Sequence, residues 1–312
     1  MATTTPSARR PGSRPSALLR SESRAAWSFS LPALLLLTAF LIVPFVLAFV
    51  LAFTDQRLIP NPRLPTEFVG LRNFQRILQD ATFQRALLNN FLFAAFVVPV
   101  QSALALGMAM LVNQRLRGSL VFRTIYFSPV VTTMVVVSAI WFLLYNPTEG
   151  FINAFLGTVS FGLIPPIAWL QDTRSALAAI AILSVWQGVG FQMVIFLAGL
   201  QEIPEQLYEA ARIDGANRRQ MFRSITLPSL RNTTIFVVIS TTILAFRLYD
   251  QVKIMTQGGP QNATQTVVYQ IERVGFGQLR VGYASALTVV FFLIVLAVAL
   301  LQRRFLREER TV

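Results

Sequence analysis

The sequence predicts an all-α, polytopic membrane protein with six transmembrane helices, and two features of its composition support that prediction. Apolar residues make up 54% of the 312 residues and charged residues only 13%, about half of the ~25% that is usual in soluble domains. The charges are also segregated, so that several long stretches carry none. A helix needs about 20 apolar residues to cross a hydrocarbon core of ~30 Å, and these stretches supply them.

Six spans are predicted within a membrane domain that covers residues 29–304. Their approximate bounds are 31–53, 86–113, 124–146, 176–200, 232–249 and 283–302. Strands of a membrane barrel would be ~10 residues long with alternating polarity, whereas most of these runs are longer and apolar on all sides. The fifth span runs into Arg247, so we expect that end to lie in an aqueous or protein-lined setting.

The segments outside the membrane domain are short. Residues 1–28 are rich in Ser, Thr, Pro and Arg, a composition that predicts a disordered cytoplasmic tail, and residues 305–312 form a second tail. Basic residues precede the first span, as they do in a signal peptide. The apolar run is longer than the ~7–15 residues of a signal-peptide core, so we expect it to be a retained span.

The placement of the basic residues predicts the orientation. Of the 27 Lys and Arg, 17 lie in the two termini and in the loops that follow the second and fourth spans, and nine lie in the opposite loops. The positive-inside rule then puts both termini and the loop at 201–231 in the cytoplasm. With the charge distributed in this way, its net value of +13 does not point to nucleic acid as a partner. The first outside loop is unusually basic, with Arg57, Arg63, Arg72, Arg76 and Arg85.

The absence of two residue types narrows the possible chemistry. The chain has no cysteine and no histidine, which excludes disulfides, thiol nucleophiles and imidazole bases or metal ligands. The predicted spans also contain no acidic cluster. We therefore expect no catalytic residue and no metal site, and we do not expect an enzyme.

The longest inside loop has the features of two short helices joined at a corner. Pro204 suits the first position of a helix, where its missing N–H is no loss. Gly215 suits the left-handed residue that follows a helix. Asn217 can cap a second helix, with Gln220 as its capping-box partner. Pro228 is expected to end that second helix.

Two interpretations of this loop remain open on physical grounds alone. The helix pair could be an amphipathic connector that rests on the lipid surface. It could equally be a docking element for a cytoplasmic partner, whose pocket would receive the apolar side chains of Leu207, Ala211, Met221 and Phe222. In that case the corner would hold the two helices at a fixed angle, so that force could pass between the partner and the membrane helices.

The loop also carries a family motif. Glu209-Ala210-Ala211, followed after three residues by Gly215 and after nine more by Ile225-x-Leu227-Pro228, resembles the E-A-A loop of the permease subunits of ABC importers. The segments Met255-Thr256-x-Gly258-Gly259-Pro260, Gly282-Tyr283-Ala284-Ser285-Ala286 and Phe127-x-Pro129 resemble the carbohydrate-uptake subfamily. The similarity covers roughly 31–304 and is greatest to maltose and glycerol-3-phosphate permeases of the compact, six-span kind.

The resemblance implies a type I importer permease in the cytoplasmic (inner) membrane of a bacterium or archaeon. It implies that the motif residues couple ATP hydrolysis to rocking of the membrane helices. The implied partners are a second homologous permease, two cytoplasmic ATPase subunits and an extracytoplasmic solute-binding protein. ATP and magnesium would be used by the ATPase subunits, with no cofactor bound directly by this chain. The implied cargo is a sugar, either an oligosaccharide or a polyol or sugar phosphate such as glycerol-3-phosphate.

Polar residues inside the spans are few, and each is therefore a candidate for the substrate pathway. The resemblance to the maltose permease places sugar contacts at Ser184, Gln187, Gly188, Phe191, Thr241, Ala245 and Leu248. The residue types themselves add Trp186, Arg247 and Tyr249, because sugar sites combine aromatic faces with polar partners. The alternative is that the small residues pack helices and that Trp and Tyr lie at the membrane interface.

Arg247 departs from the family pattern, since Ala245, Arg247 and Leu248 stand where the family has asparagines. Arg247 could face an anionic substrate, or it could pair with Asp250 one turn on. We favour the internal pair. Asp250 is also the only acid that a secondary transporter or channel, the competing class of function, could use in these spans, and it lies at a span end.

Overall fold

The computed structural model describes residues 16–59, 65–114 and 118–306. These residues are mostly helical, and their extended pairing is a single antiparallel bridge between Thr54 and Phe68. The helices are α1 (Ser16–Leu37), α2 (Val43–Leu51), α3 (Arg72–Gln79), α4 (Ala81–Val112), α5 (Ser119–Val131), α6 (Met134–Leu144), α7 (Phe151–Val159), α8 (Ala176–Gln201), α9 (Glu205–Ile213), α10 (Arg218–Met221), α11 (Leu227–Ser229), α12 (Arg231–Phe246), α13 (Asp250–Met255), α14 (Val267–Glu272) and α15 (Val281–Phe305). They fall in two units, residues 1–50 and 51–312.

The first unit corrects part of the tail prediction. Residues 1–15 of the expected disordered tail lie outside the described residues, but the chain is helical from Ser16 onward. The physical reason is local, because the segment Ser16-Ala-Leu-Leu-Arg is made of good helix formers. A stretch long and apolar enough to cross a membrane runs from Ala26 to Leu51, where the span 31–53 is predicted.

The second unit contains four further stretches long and apolar enough to cross a membrane. Their bounds are Ala81–Val112, Ala176–Gln201, Arg231–Met255 and Val281–Phe305. Each overlaps one predicted span. The charged residues at the ends of some stretches explain why hydropathy alone predicts shorter bounds, since a helix continues beyond its apolar part as long as its backbone hydrogen bonds do.

The third predicted span, 124–146, is not one continuous helix. Val121–Val131 of α5 and Met134–Leu144 of α6 are bent against each other by 96°. Thr132 and Thr133 between them have extended backbones, with ψ of 137° and 141°. Hydropathy could not reveal the break because the sequence is apolar on both sides of it. The pair makes up the sixth crossing if it is counted as one broken span.

The core of the second unit lies where α4, α8 and α12 pack together. Small residues on α4, Ala105 and Ala109, are fully buried against Met193 and Phe196 of α8. Such small residues let helix backbones approach closely, which is the main source of helix association in a membrane. The ends of α4 and α8 that lead into the inside loops meet in this core, so α9–α11 sit at that end of the bundle.

The opposite end of the bundle is held by two buried asparagines of α4. Asn90 donates from Nδ2 to the Phe246 carbonyl oxygen at 3.1 Å and accepts from the Val267 N–H at 3.0 Å. Asn89 donates to the carbonyl oxygens of Asn262 and Gln265, both at 2.9 Å. These bonds join α4 to the end of α12 and to the segment before α14.

We expect Asn90→Leu to destabilise the folded chain. It would leave two buried backbone groups unpaired, each costing roughly 1–3 kcal/mol. The measurement is the melting temperature of the purified chain in lipid nanodiscs. Asn113→Leu, at the exposed end of the same helix, is the control and should leave the melting temperature within a degree or two. Equal effects of the two variants would contradict the role given to Asn90.

Candidate functional site

The loop at 201–231 folds as two short helices around a glycine corner, as the sequence predicts. Gly215 follows α9 with a φ of +80°, in the left-handed region that favours glycine. Asn217 caps α10, because its Oδ1 accepts from the Gln220 N–H at 3.0 Å and its own N–H donates to Gln220 Oε1 at 2.7 Å. This reciprocal pair is the predicted capping box.

The two prolines of the loop occupy positions different from those expected. Pro204 is the N-cap of α9, which begins one residue later at Glu205. Pro228 does not end the second helix, since the chain stays helical to Ser229. A π-helical turn, Phe222–Thr226, precedes it. That wider turn accommodates a proline, which cannot donate to the carbonyl four residues back and would otherwise crowd it.

The two arms of the loop are joined by a hydrogen bond between Tyr208 and Thr226, whose hydroxyl oxygens are 3.0 Å apart. Beside it lies a cavity of about 400 Å³, which Met221 and Phe222 line together with the end of α4. Of the motif residues, Ala211 and Ile225 are half-buried, and the exposed ones are Glu209, Ala210, Gly215, Leu227 and Pro228. Leu207 and Ile213 are also exposed, at 47% and 86%. The loop therefore presents apolar side chains that nothing in the described chain covers.

A second feature is a cavity of about 330 Å³ between α4, the break at α5–α6, α8 and the α12–α13 connection. Eight of the ten pathway candidates line it, namely Ser184, Gln187, Gly188, Phe191, Thr241, Ala245, Arg247 and Leu248. The structure thus brings together side chains from positions about 60 residues apart in the sequence.

Polar side chains of the cavity are arranged in pairs. Gln192 Nε2 donates to Thr241 Oγ1 at 3.1 Å, and Gln251 Nε2 donates to Ser184 Oγ at 3.2 Å. Gln192 is 2% exposed, and its Oε1 has no hydrogen-bond partner among the described residues. A buried acceptor without a partner is costly, and it is available to a hydroxyl group of a molecule in the cavity.

Several lining residues are absent from the predicted set. Gln101 and Gln251 supply amides, Asp250 a carboxylate, and Phe93 and Met134 apolar contacts. Gln101 was detectable as one of the few polar residues within the long, mainly apolar helix α4. Gln251 was not, because it lies beyond the predicted end of its span. Gly188 lies opposite Gln101, and a Cβ at Gly188 would lie 2.5 Å from Gln101 Nε2.

The favoured pairing of Arg247 with Asp250 is wrong. Both line the cavity, but their side chains form no ion pair with each other. The ion pair found in this region of the described chain joins Lys253 to Glu272, at 2.9 Å. The reason is that α12 ends at Phe246 and Tyr249 has φ −144° and ψ −60°. The i, i+3 spacing of a continuous helix is therefore lost.

Two aromatic candidates lie elsewhere. Tyr249 packs against Tyr269, with ring centroids 6.4 Å apart, and does not line the cavity. Trp186 packs against Trp141 at 5.5 Å and is 44% exposed, on the side of α8 away from the cavity's polar residues. Among the described residues, no group of three His, Cys, Asp or Glu side chains comes together as metal ligands.

The fold combines several long apolar helices, a polar cavity between them and a helix pair at one end of the bundle, which are features of a transport permease. The family model for the inner membrane component of binding-protein-dependent transport systems matches residues 101–311. The chain belongs to this family. It is the membrane permease of an ABC importer, a transport subunit and not an enzyme.

Characterised relatives extend over most of the chain. It is 33% identical over 291 residues to the trehalose/maltose transport system permease protein MalF of Thermococcus litoralis, covering 93% of this chain and 96% of that one. It is 31% identical over 249 residues to the sn-glycerol-3-phosphate transport system permease protein UgpA of Yersinia enterocolitica, covering 79% and 82%.

A solved structure confirms the fold. The bacterial alginate ABC transporter, in complex with its alginate pentasaccharide-bound periplasmic protein, contains a chain that matches with a TM-score of 0.81. The match covers 94% of this chain and 98% of that one, at 18% identity. The architecture of the present chain is thus that of an ABC importer permease.

Proposed function

We propose that this permease moves a sugar, or a polyol or sugar phosphate, into the cytoplasm by alternating access. The observation that carries the proposal is the cavity between α4, α8 and α12, which combines amides, hydroxyls, a guanidinium and a phenyl ring. Sugar sites need these groups, because hydroxyls pair with amides and charged groups while the apolar face of a sugar ring packs on an aromatic side chain. The names of the relatives support this class of cargo.

Substrate contacts are proposed for the eight candidate residues that line the cavity, with Gln101, Gln192 and Gln251 added. Arg247 has no ion-pair partner in the described chain and lines the same cavity as Asp250. A guanidinium and a carboxylate in one cavity can each bind hydroxyls, and the guanidinium can also bind a phosphate. The cavity therefore suits both a neutral and a phosphorylated cargo.

The loop α9–α11 is proposed as the coupling element. Its exposed Leu207, Ile213 and Leu227 would enter a cleft on a cytoplasmic ATPase subunit. Both termini are proposed to lie on that same, cytoplasmic side of the membrane. The full assembly would contain a second homologous permease, two such ATPases that use ATP and magnesium, and an external solute-binding protein. The periplasmic protein bound to the alginate transporter supports the last of these.

We expect Gln192→Leu to reduce uptake at least tenfold, because a cargo hydroxyl would lose the amide acceptor and the remaining Thr241 hydroxyl would lose its partner. The measurement is uptake of radiolabelled maltose, trehalose and glycerol-3-phosphate into proteoliposomes that contain the co-purified complex. Gln171→Leu, at an exposed position outside the cavity, is the matched control and should transport normally. Normal uptake by an intact Gln192→Leu complex would contradict the assignment of this cavity.

A further inference from the structure

A third cavity, of about 470 Å³, lies at the end of the bundle opposite to α9–α11. It is formed where α4 and α15 begin, with the segment 265–278 as its other wall. Three arginines line it, Arg76, Arg273 and Arg280, against one acid, Asp80. A neighbouring cavity of about 230 Å³ shares Arg76, Arg280 and Tyr283, and it adds Arg57, Arg72 and a second acid, Asp55. The basic outside loop of the sequence therefore has a defined place in the fold.

The backbone holds these positive charges together. The Leu58 N–H donates to the Leu279 carbonyl oxygen at 3.0 Å, and the Gly282 N–H donates to the Gln56 carbonyl oxygen at 2.9 Å. Asn73 Nδ2 donates to the carbonyl oxygens of Ala52 and Thr54, at 2.9 and 2.8 Å. The loop is thus fixed onto the start of α15 by polar contacts that do not involve the arginines.

The guanidinium groups of Arg76 and Arg280 both lie over the ring of Tyr283, 5.0 and 5.3 Å from its centroid. Burial lowers the pKa of Arg280, and the charges of Arg76 and Arg57 lower it further. None of the five arginines forms an ion pair with a described residue. Like charges held this close repel each other, so an anion between them would relieve a cost that the folded chain already bears.

Asp80 keeps its negative charge but forms no ion pair with these arginines, because both of its carboxylate oxygens accept hydrogen bonds from neutral donors. Oδ1 accepts from the N–H groups of Thr82 and Phe83 at the start of α4. Oδ2 accepts from Gln270 Nε2 at 3.0 Å and from the Tyr283 hydroxyl at 2.8 Å. Asp80 therefore serves as a helix cap and as an anchor for the cavity wall.

The same cavity contains buried amides without partners. Gln265 is 0% exposed, and neither its Nε2 nor its Oε1 has a hydrogen-bond partner among the described residues. Gln270 is 3% exposed, and its Oε1 has none. Buried side-chain amides are normally satisfied, so these two independently indicate that a polar ligand completes the site.

We propose that this cavity binds the oxyanion of a small ligand, a carboxylate or a phosphate, between Arg76 and Arg280, with the amide of Gln265 donating to it. The planar forks of arginine match both oxyanions in geometry. The volume is that of a small-molecule pocket. The site is separate from the cavity of Gln192 and Arg247, and its existence does not depend on what that cavity transports.

The test is isothermal titration of the full chain in lipid nanodiscs. The probes are glucuronate and inorganic phosphate, with glucose as the neutral counterpart of glucuronate. We expect both anions to bind, glucose not to compete, and affinity to fall as salt rises. Binding of glucuronate alone would identify a sugar acid as the natural ligand, and binding of phosphate alone a phosphorylated one. Absence of binding by either anion would overturn the proposal.

Substitutions of single residues test where on the chain the anion binds. Arg76→Gln and Arg280→Gln should each weaken anion affinity at least about tenfold, whereas Arg174→Gln, at an exposed outside position, should not. Gln265→Leu should also weaken affinity while leaving the melting temperature of the unliganded chain equal or higher, because it removes an amide that has no partner there. Loss of anion binding in Arg247→Gln but not in Arg280→Gln would overturn the proposal and assign the anion to the other cavity.

Discussion

Replacing Gly215 by valine is expected to abolish uptake while the chain still folds. A Cβ at Gly215 meets nothing within 4 Å, but the residue has a φ of +80°, which a β-branched side chain adopts only with strain. Left-handed backbone costs an ordinary residue about 1–2 kcal/mol. The corner would relax toward negative φ and turn α10 away from α9, so that the loop could no longer dock as one body.

The variant Gly215→Asn distinguishes an effect of backbone conformation from an effect of side-chain size. Gly215→Asn adds a side chain of similar size, yet asparagine tolerates the left-handed region, so we expect uptake within about a factor of two of the original chain. Uptake is measured in proteoliposomes and the ATPase rate of the complex is followed in parallel. An equal loss of uptake in the valine and asparagine variants would contradict the role given to backbone conformation. It would show that any side chain at position 215 blocks function.

Gly190→Val is expected to prevent α5 from packing on α8. A Cβ at Gly190 would overlap the backbone carbonyl oxygen of Tyr126, and helix backbone cannot move aside as a side-chain end can. Overpacking of a core typically costs about 1–3 kcal/mol, and contact with backbone places this substitution at the upper end. We expect a lower melting temperature and a reduced yield of monodisperse protein after size-exclusion chromatography.

Gly107→Val provides the comparison. Gly107 also lies within a long helix, α4, but a Cβ there meets nothing within 4 Å. Because glycine is about 1 kcal/mol less favourable than alanine inside a helix, a side chain at this position should be neutral or slightly stabilising. If Gly190→Val melted at the same temperature as Gly107→Val, the close approach of α5 to α8 would not be important for stability.

Gly188 lies two residues from Gly190, but substitution of the two glycines is expected to have different effects. The atom that a Cβ at Gly188 would meet is the end of the Gln101 side chain, which is flexible and can shift. We expect Gly188→Ala to leave the melting temperature nearly unchanged but to alter uptake, because the displaced amide lines the transmembrane cavity. Uptake equal to that of the original chain, over a range of cargo concentrations, would argue against a contact between Gln101 and cargo.

The sequence by itself determined the features that depend on neighbouring residues. Uncharged stretches predicted where the helices α4, α8, α12 and α15 lie, because crossing hydrocarbon is a matter of local length and polarity. The glycine corner and the Asn217–Gln220 capping box were predictable for the same reason, since their hydrogen bonds span three residues.

Only the tertiary structure decided the features that depend on contacts between distant segments. Three such features are the break at Thr132–Thr133, the position of Gln251 in the cavity and the absence of an Arg247–Asp250 pair. Each depends on where the end or the bend of one helix meets another helix. The meeting of Arg76 with Arg280 is likewise set by backbone bonds between segments about 200 residues apart. Hydropathy and motif spacing carry no information on such contacts, because the energy of each depends on both partners and on the fold that places them.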